Sequence, residues 1–387
     1  MTDQRTIQIL FALLRSAIRG ELLTEDEKNT YSPQMLPDLL AISKKQDVAH
    51  LLVFALKKNG LLRKEDAFAE KIILMAVYRC ERLITALREV SEVLEAAEIP
   101  FIPLKGSILR GYYPEEWMRT SCDVDVLVHS EDLARATEQL TSTLGYVEQC
   151  RSTHDVALEA PGGIHVELHF DLVEEGKAND AIQVLSKVWN NAHLCNGSLF
   201  HYEMSDSFFY FYHIAHMAKH FEVGGCGIRP FMDLYILDHT VQADAASRTE
   251  LLKKGDLFRF ATVCQALSRV WFEGQKADPL SLQMQEFLLH GGIYGSVDNR
   301  VALNQKKNGG RFGYLLSRIF VPYDKLRRYY PILEKNRCLV PVMQVRRWFM
   351  LFRPEVATMA KNELKTNRRM GKGQADEMGN FLQEIGL

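Results

Sequence analysis

The hexapeptide Asp-Val-Asp-Val-Leu-Val at residues 123–128 alternates acidic with apolar side chains before it ends in an apolar run. Successive side chains of a strand point to opposite faces, so the pattern predicts a β-strand with one buried face and with Asp123 and Asp125 together on the other. On strand geometry their Cα atoms lie about 7 Å apart, which lets both carboxylates reach a shared divalent ion or a pair of ions. Taken alone, the pattern is equally typical of an edge strand with solvated acids.

Two like charges on a half-buried strand are costly unless a cation neutralises them, and hard oxygen ligands favour Mg²⁺ or Mn²⁺. A pair of metal ions needs more oxygen ligands than two aspartates provide, so a third acid is expected on a neighbouring strand. Residues 164–170, Ile-His-Val-Glu-Leu-His-Phe, place His165, Glu167 and His169 on one face. Glu167 is the candidate third ligand. Each histidine is either a structural group or one that orients Glu167 or contacts substrate.

A second feature lies upstream, where an apolar run ends in Lys105, Gly106 and Ser107 before a short helical stretch. A strand, a glycine turn and a helix N-terminus present backbone N–H groups that suit phosphate oxygens. The Ser107 hydroxyl can also donate a hydrogen bond. The Lys105 ammonium is placed to contact a triphosphate, although a surface lysine would give the same pattern.

Together, Gly106-Ser107, Asp123-x-Asp125 and Glu167 resemble the signature of the DNA polymerase beta-like nucleotidyltransferase superfamily. In that superfamily a Gly-Ser turn binds the nucleotide phosphates and three acids bind two magnesium ions. Within it, the chain is similar to a family of uncharacterised bacterial nucleotidyltransferases, notably in Leu-Lys-Gly at 104–106 and in Arg119 before the acidic strand. The gap between the Gly-Ser turn and the acidic strand is somewhat longer than is usual in the superfamily.

The resemblance implies transfer of a nucleoside monophosphate from a nucleoside triphosphate, such as ATP, to an acceptor with release of pyrophosphate. It implies that Asp123 and Asp125 hold both metal ions and that Glu167 binds the ion that activates the acceptor. Lys105 or Arg119 would stabilise charge on the phosphates. The acceptor is not implied, and a small molecule, a protein side chain and an RNA end all remain open.

Three histidines, His213, His216 and His220, share one face of a predicted helix. Packing and hydrogen bonding inside a helical domain is the favoured interpretation. Alternatively, His216 and His220 contact nucleotide or acceptor from a helix that faces the cleft. A dedicated zinc site is the least favoured, because no cysteine or acid ligand lies nearby on the same helix. Arg229 and Asp233, four residues apart, are predicted to form an ion pair.

The periodicity of the whole chain predicts an α+β fold. A polymerase beta-like core with a mixed, mainly antiparallel sheet is expected at residues 98–178, between helical regions at 1–97 and 179–387. In the core, a Pro-Gly-Gly turn at 161–163 predicts an antiparallel hairpin of residues 154–159 and 164–170. The clearest helix covers residues 72–94, where apolar side chains recur every three or four residues.

Composition narrows the class of protein. The 387 residues carry 47 basic and 49 acidic side chains, so no global field attracts nucleic acid or an anionic membrane. The seven cysteines show no paired spacing, and the N-terminus shows no signal-peptide pattern. The sequence also has no long uncharged apolar run. We therefore expect a cytoplasmic protein without a membrane span. Two alternatives to the transferase remain: a catalytically silent nucleotide-binding or regulatory protein, and a metal-dependent phosphate-ester hydrolase.

Overall fold

The computed structural model describes residues 3–63, 65–173, 180–240, 244–293, 295–330 and 332–387. Packing divides the chain into two compact units. The first comprises Met1–Ala215 and Gly227–Leu289, and the second comprises His216–Cys226 and His290–Leu387. The three regions predicted along the chain follow secondary structure rather than packing, and their limits remain a prediction.

Helices make up most of the first unit. In chain order they are α1 (Gln4–Arg19), α2 (Glu25–Thr30), α3 (Leu36–Lys45), α4 (Ala49–Lys58), α5 (Ala67–Ala96), α6 (Lys105–Leu109), α7 (Leu133–Leu144), α8 (Asp180–Leu185), α9 (Asp206–Glu222), α10 (Arg229–Thr240), α11 (Ala245–Lys254), α12 (Phe258–Glu273) and α13 (Pro279–Leu289). Short 3-10 turns lie at Pro33–Met35, Arg110–Tyr112, Glu116–Met118 and Trp189–Asn191. Helix α9 continues into the second unit after Ala215.

Helix α5 is the long helix predicted around residues 72–94. It begins where the Asp66 side chain accepts a hydrogen bond from the backbone N–H of Ala69, which satisfies an otherwise unpaired donor of the first turn. Its buried stripe runs through Cys80, Leu83 and Val90. The three-and-four spacing of these residues keeps one face of the helix on the core.

A five-stranded sheet lies in the same unit. Its strands are β1 (Phe101–Pro103), β2 (Asp123–Val128), β3 (Val147–Arg151), β4 (Asp155–Glu159) and β5 (His165–His169). The order across the sheet is β1-β2-β5-β4-β3, and every neighbouring pair is antiparallel except β2 and β5, which run parallel. The expected α+β class with a mixed, mainly antiparallel sheet is confirmed.

The hairpin of β4 and β5 is also confirmed, and its turn depends on Gly163. Gly163 has φ of 74°, a left-handed conformation that glycine adopts without steric cost. Strand β3, by contrast, was not expected. All five of its residues are exposed, so it carries no apolar alternation to reveal it.

The apolar residues of the central strands cover one face of the sheet and pack against α5 and α7. The buried cluster includes Val124, Val126, Val156, Leu158, Val166 and Leu168 from the strands and Leu83, Val90, Ala136 and Leu140 from the helices. Because side chains alternate along a strand, this packing directs the intervening residues of β2 and β5 to the opposite face. Burying each aliphatic side chain contributes about 1.5–3 kcal/mol, so a one-residue slip in either strand is strongly disfavoured.

A separate two-stranded hairpin follows the sheet. It consists of β6 (Ala192–Leu194) and β7 (Tyr202–Met204), which pair antiparallel. The backbone N–H of Phe101 in β1 donates to the carbonyl of Phe200 at 2.9 Å. This bond attaches the hairpin to the edge of the five-stranded sheet.

The described residues of the second unit form helices joined by short connections. Its helices are α14 (Val297–Lys307), α15 (Arg311–Ile319), α16 (Tyr323–Tyr329), α17 (Ile332–Lys335), α18 (Val340–Phe349), α19 (Pro354–Arg369) and α20 (Lys372–Ile385), with 3-10 turns at Arg337–Leu339 and Met350–Phe352. Two segments of this unit meet at Gly295, whose φ is 73°. A Cβ on Gly295 would lie 2.2 Å from the carbonyl oxygen of Gly224, so only glycine fits there.

Charge is unevenly distributed along the chain. Residues 290–387 contain 18 Lys and Arg against eight Asp and Glu, whereas residues 1–289 contain 29 against 41. The near-neutral total charge is therefore the sum of two segments with net charges of opposite sign.

All seven cysteines are free thiols. In the part of the chain that the structure describes, no helix combines the length and the apolar character needed to cross a membrane.

Candidate functional site

Three acidic side chains meet on the polar face of the sheet. Strands β2 and β5 pair in parallel, with Asp125 opposite Glu167 and Asp123 opposite His165. Asp123 and Asp125 are two residues apart and therefore share the face of Glu167. The side chains of Asp125 and Glu167 retain 23% and 30% of their exposure, so solvent and a ligand can reach them. The structure thus brings together the three acids that the sequence singles out.

His169 lies inside this acid cluster. Its Nε2 atom is 3.6 Å from Asp125 Oδ1 and 3.4 Å from Glu167 Oε2. Ligand atoms of Asp125, Glu167 and His169 all lie within 4.8 Å of one another, a spacing that can hold a metal ion. On the other side, His165 Nε2 is 3.4 Å from Glu167 Oε1. The contacts support the interpretation that these histidines orient Glu167.

The electrostatics of the cluster show an excess of negative charge. Burial, together with the charges of Asp125 and Glu167, raises the pKa of Asp123. The hydrogen bond from His169 lowers the pKa of Glu167 despite its partial burial. Burial disfavours the charged form of His169, but its bonds to Asp125 and Glu167 outweigh burial and raise its pKa to about 9. An imidazolium therefore provides part of the positive charge that these carboxylates require.

The pKa of His169 makes the stability of the metal-free protein depend on pH. A group whose pKa is higher in the folded state stabilises the fold below its unfolded value, here 6.5, and loses that effect as pH rises through about 9. In EDTA, the unfolding free energy should fall between those pH values by on the order of 2 kcal/mol more in the wild type than in His169→Asn. Urea unfolding across this pH range measures the difference. His165→Asn, which keeps the His169 contacts, should behave as the wild type, and equal slopes in all three proteins would contradict the assignment.

Tyr212 is a buried residue near the acid cluster that no sequence pattern singled out. It lies on α9, and burial raises its pKa, with the negative charges of Asp125, Asp123 and Glu167 adding to the shift. The phenol therefore lies within the electrostatic field of the acid cluster. Its sequence neighbours are apolar and aromatic, so no local pattern distinguishes it from a core residue.

The Gly-Ser turn lies directly beside β2. The backbone N–H of Leu104 donates to the carbonyl of Asp125 at 2.8 Å, and the N–H of Ser107 donates to the carbonyl of Leu104 at 3.0 Å. The amide of Ser107 is therefore already used. Its Oγ is buried and has no hydrogen-bond partner among the described residues. Because a buried hydroxyl without a partner costs about 1–3 kcal/mol, this atom is a candidate contact for a bound ligand.

The Gly-Ser turn packs on the segment before β2, and a side chain at Gly106 would meet that segment at ordinary van der Waals distance. A Cβ at Gly106 would lie 3.4 Å from the Cβ of Ser121. Buried Arg110 joins the same two segments, with Nε donating to the carbonyl of Gly106 at 3.2 Å and Nη2 donating to Ser121 Oγ at 2.9 Å. Arg110 therefore positions the turn relative to the acidic strand.

Arg119 has a different environment from the one that the family resemblance implies. Its guanidinium forms a two-pronged ion pair with Asp233, with both N···O distances 2.9 Å, and it also donates to the carbonyl of Thr120. The side chains of Arg119 and Asp233 are 5% and 0% exposed. Despite this burial, Arg119 lowers the pKa of Asp233 to about 2. These contacts support a structural role for Arg119, and a contact with phosphates remains a prediction.

The predicted ion pair between Arg229 and Asp233 is wrong. Arg229 instead donates to Asp47 Oδ2 at 3.0 Å and to the carbonyl of Thr120 at 2.9 Å. The reason is geometric, because the fork of Arg119 satisfies both oxygens of the fully buried Asp233 carboxylate. Lys105 is buried as well, and its charge acts on His213 and Asp233. A contact between Lys105 and nucleotide remains a prediction.

The three histidines of α9 have separate environments. His213 is fully buried in the first unit, its Nε2 is 2.9 Å from the carbonyl oxygen of Pro230, and burial lowers its pKa to about 4. Packing is therefore the role that its contacts support. His216 and His220 belong to the second unit, where their ring centroids lie 4.5 Å apart. Nucleotide binding by His216 and His220 remains a prediction.

Comparison with known proteins gives one match. A family model described as "Uncharacterised nucleotidyltransferase" matches residues 32–273, which include the whole five-stranded sheet, the acid cluster and the Gly-Ser turn. No curated protein and no solved structure matches the chain.

Proposed function

The chain belongs to this uncharacterised nucleotidyltransferase family, and on that premise we propose that it is a metal-dependent enzyme that moves a nucleoside monophosphate from a nucleoside triphosphate to an acceptor. The observation that carries the proposal is the parallel register of β2 and β5, which sets Glu167 beside Asp125 with Asp123 on the same face. The adjacent Gly-Ser turn supports the further proposal that the sheet is a polymerase beta-like core.

The donor set fits Mg²⁺ or Mn²⁺. Carboxylate oxygens are the ligands that these ions prefer. Burial, followed by the neighbouring charges of Asp125 and Glu167, raises the pKa of Asp123, and a bound cation would offset both effects. Asp123, Asp125 and Glu167 would hold the ions. When bound, they supply Lewis-acid neutralisation of charge on the triphosphate and the attacking oxygen.

Other residues of the protein would have separate roles in substrate binding and proton transfer. The Ser107 hydroxyl, buried beside Gly106, would donate a hydrogen bond to a phosphate oxygen, and Lys105 would add positive charge. His169 holds Glu167 in place through its Nε2 contact. As the acceptor oxygen bonds to the α-phosphorus and the α–β anhydride bond breaks, Glu167 would take the acceptor proton and pyrophosphate would leave.

Two other functions would use the same site. A silent nucleotide-binding or regulatory protein would have no need of three intact acids converging on one face, which favours the enzyme. A metal-dependent phosphate-ester hydrolase would use the same acids but would transfer the nucleotide to water. Membership of a nucleotidyltransferase family favours transfer to another acceptor.

A transfer assay tests the proposal. The protein is incubated with each nucleoside triphosphate labelled at the α-phosphate, with Mg²⁺ or Mn²⁺ and an extract containing protein, RNA and small-molecule fractions. We expect label to become covalently attached to one fraction, with equimolar release of pyrophosphate and no transfer in EDTA. Free labelled monophosphate alone would indicate a hydrolase. Binding of nucleotide without turnover under either metal would indicate a silent protein.

A further inference from the structure

A group of metal-ligating side chains that shares no residue with the acid cluster lies on the hairpin of β6 and β7. Ligand atoms of Cys195, His201 and Glu203 all lie within 4.8 Å of one another. The β6–β7 register places His193 opposite Glu203, and the backbone N–H of Cys195 donates to the carbonyl of His201 at 2.9 Å, which extends the pairing by one step. Residues two apart on a strand share a face, so His193 and Cys195 lie on the same face as His201 and Glu203.

The fold holds this hairpin in place independently of any ion. The His201 ring stacks on Phe101 of β1, with centroids 4.9 Å apart and planes within 10°. The Glu95 carboxylate of α5 accepts hydrogen bonds from Ser198 Oγ and from the backbone N–H of Leu199, both at 2.6 Å. Both the loop and one ligand are therefore positioned by contacts with α5 and β1, which reduces the ordering required when a ligand binds.

The chemistry of this group differs from that of the acid cluster. A thiolate sulfur, an imidazole nitrogen and a carboxylate oxygen form a mixed set that suits zinc, whereas magnesium prefers oxygen ligands alone. The ligand atoms of Cys195 and Glu203 lie within 4.8 Å of each other, a separation that one bound cation can bridge. None of the ligands of this site belongs to the acid cluster.

We propose that Cys195, His201 and Glu203 form a binding site for a divalent transition-metal ion of the zinc class, with His193 placed to supply a fourth ligand. Binding converts the Cys195 thiol into a thiolate and releases its proton to solvent. The ion joins β6 to β7 through side chains and fixes the segment that leads into α9. The site is independent of the proposed transferase activity.

Cobalt is the probe, because a cobalt–thiolate bond gives a near-ultraviolet charge-transfer band that oxygen and nitrogen ligands do not give. The full chain carries Asp125→Asn and Glu167→Gln, so that the acid cluster does not compete. One equivalent of Co²⁺ should produce the band, and one equivalent of Zn²⁺ should remove it. Cys195→Ser should lose the band completely, whereas Cys150→Ser, an exposed cysteine on β3, should keep it.

A second variant covers the case in which Cys195→Ser does not fold. His201→Ala, checked for folding by circular dichroism, should weaken zinc binding by at least about 100-fold in competition with a chelating dye, since even outer-shell changes cost about 10–100-fold. Absence of the cobalt band in the parent protein, or an unchanged band in folded Cys195→Ser, would overturn the proposal. Wild-type zinc affinity in folded His201→Ala would overturn it as well.

Discussion

Replacing Glu167 by glutamine should reduce nucleotidyl transfer by about 10³-fold, which corresponds to about 4 kcal/mol of transition-state stabilisation. The amide keeps the shape of the side chain but removes a negatively charged metal ligand and the group proposed to accept the proton. Because Glu167 lies opposite Asp125 on a parallel neighbour, the loss acts directly on the centre of the site. The rate of covalent labelling under single-turnover conditions measures the effect.

The matched control is Glu159→Gln. Glu159 is exposed and lies on β4 opposite His165, so the substitution makes the same chemical change on the same face of the sheet while leaving Asp123, Asp125 and Glu167 intact. Its transfer rate should stay within about twofold of the wild type, because exposed substitutions outside a site have small effects. If Glu167→Gln kept more than a tenth of the wild-type rate, the assignment of Glu167 to the site would be incorrect.

The largest effect on stability is expected from Asp233→Asn, which should lower the free energy of unfolding by about 3–5 kcal/mol. The substitution leaves the Arg119 guanidinium buried without its counter-charge. It also replaces one of the two oxygens that accept from Arg119 by an amide NH2, which is itself a donor. Breaking one partner of a buried pair costs far more than the pair contributes, because the other charge stays desolvated. Urea unfolding of the wild type and the variant measures the change.

An exposed ion pair in the same unit provides the comparison. Glu250 pairs with Lys254 at 2.6 Å, but their side chains are 65% and 61% exposed. Glu250→Gln should therefore cost less than about 1 kcal/mol, because water solvates the remaining lysine. If Asp233→Asn cost no more than Glu250→Gln, burial of the Arg119–Asp233 pair would not contribute as described.

Local sequence patterns are sufficient to predict much of the site. The alternation in β2 and β5 assigns each acid to a face, and the Pro-Gly-Gly turn pairs β4 with β5. The alternation does not predict which strands pair with each other in the sheet. The parallel pairing of β2 with β5, which aligns Asp125 with Glu167, depends on a crossover through β3 and β4. Packing over the whole sheet determines which strands are neighbours.

The features that could not be predicted from local sequence patterns depend on contacts between residues far apart in the sequence. Arg119 and Asp233 are 114 positions apart, and the four-residue spacing of Arg229 and Asp233 suggests a local pair that the tertiary structure does not form. The cysteines show no metal-ligand spacing in sequence, and it is the fold of the β6–β7 hairpin that brings Cys195 close to His201 and Glu203. Spacing rules apply within one element, and both groups depend on contacts between elements.

The segregation of charge along the chain has a consequence for how the molecule meets other surfaces. At physiological ionic strength a field decays over about 8 Å, so a neighbouring surface responds to the nearest patch of the protein and not to its total charge. An isoelectric point of 6.6 therefore describes neither segment. The net positive charge of residues 290–387 favours short-range attraction to a polyanion, and the net negative charge of residues 1–289 opposes it.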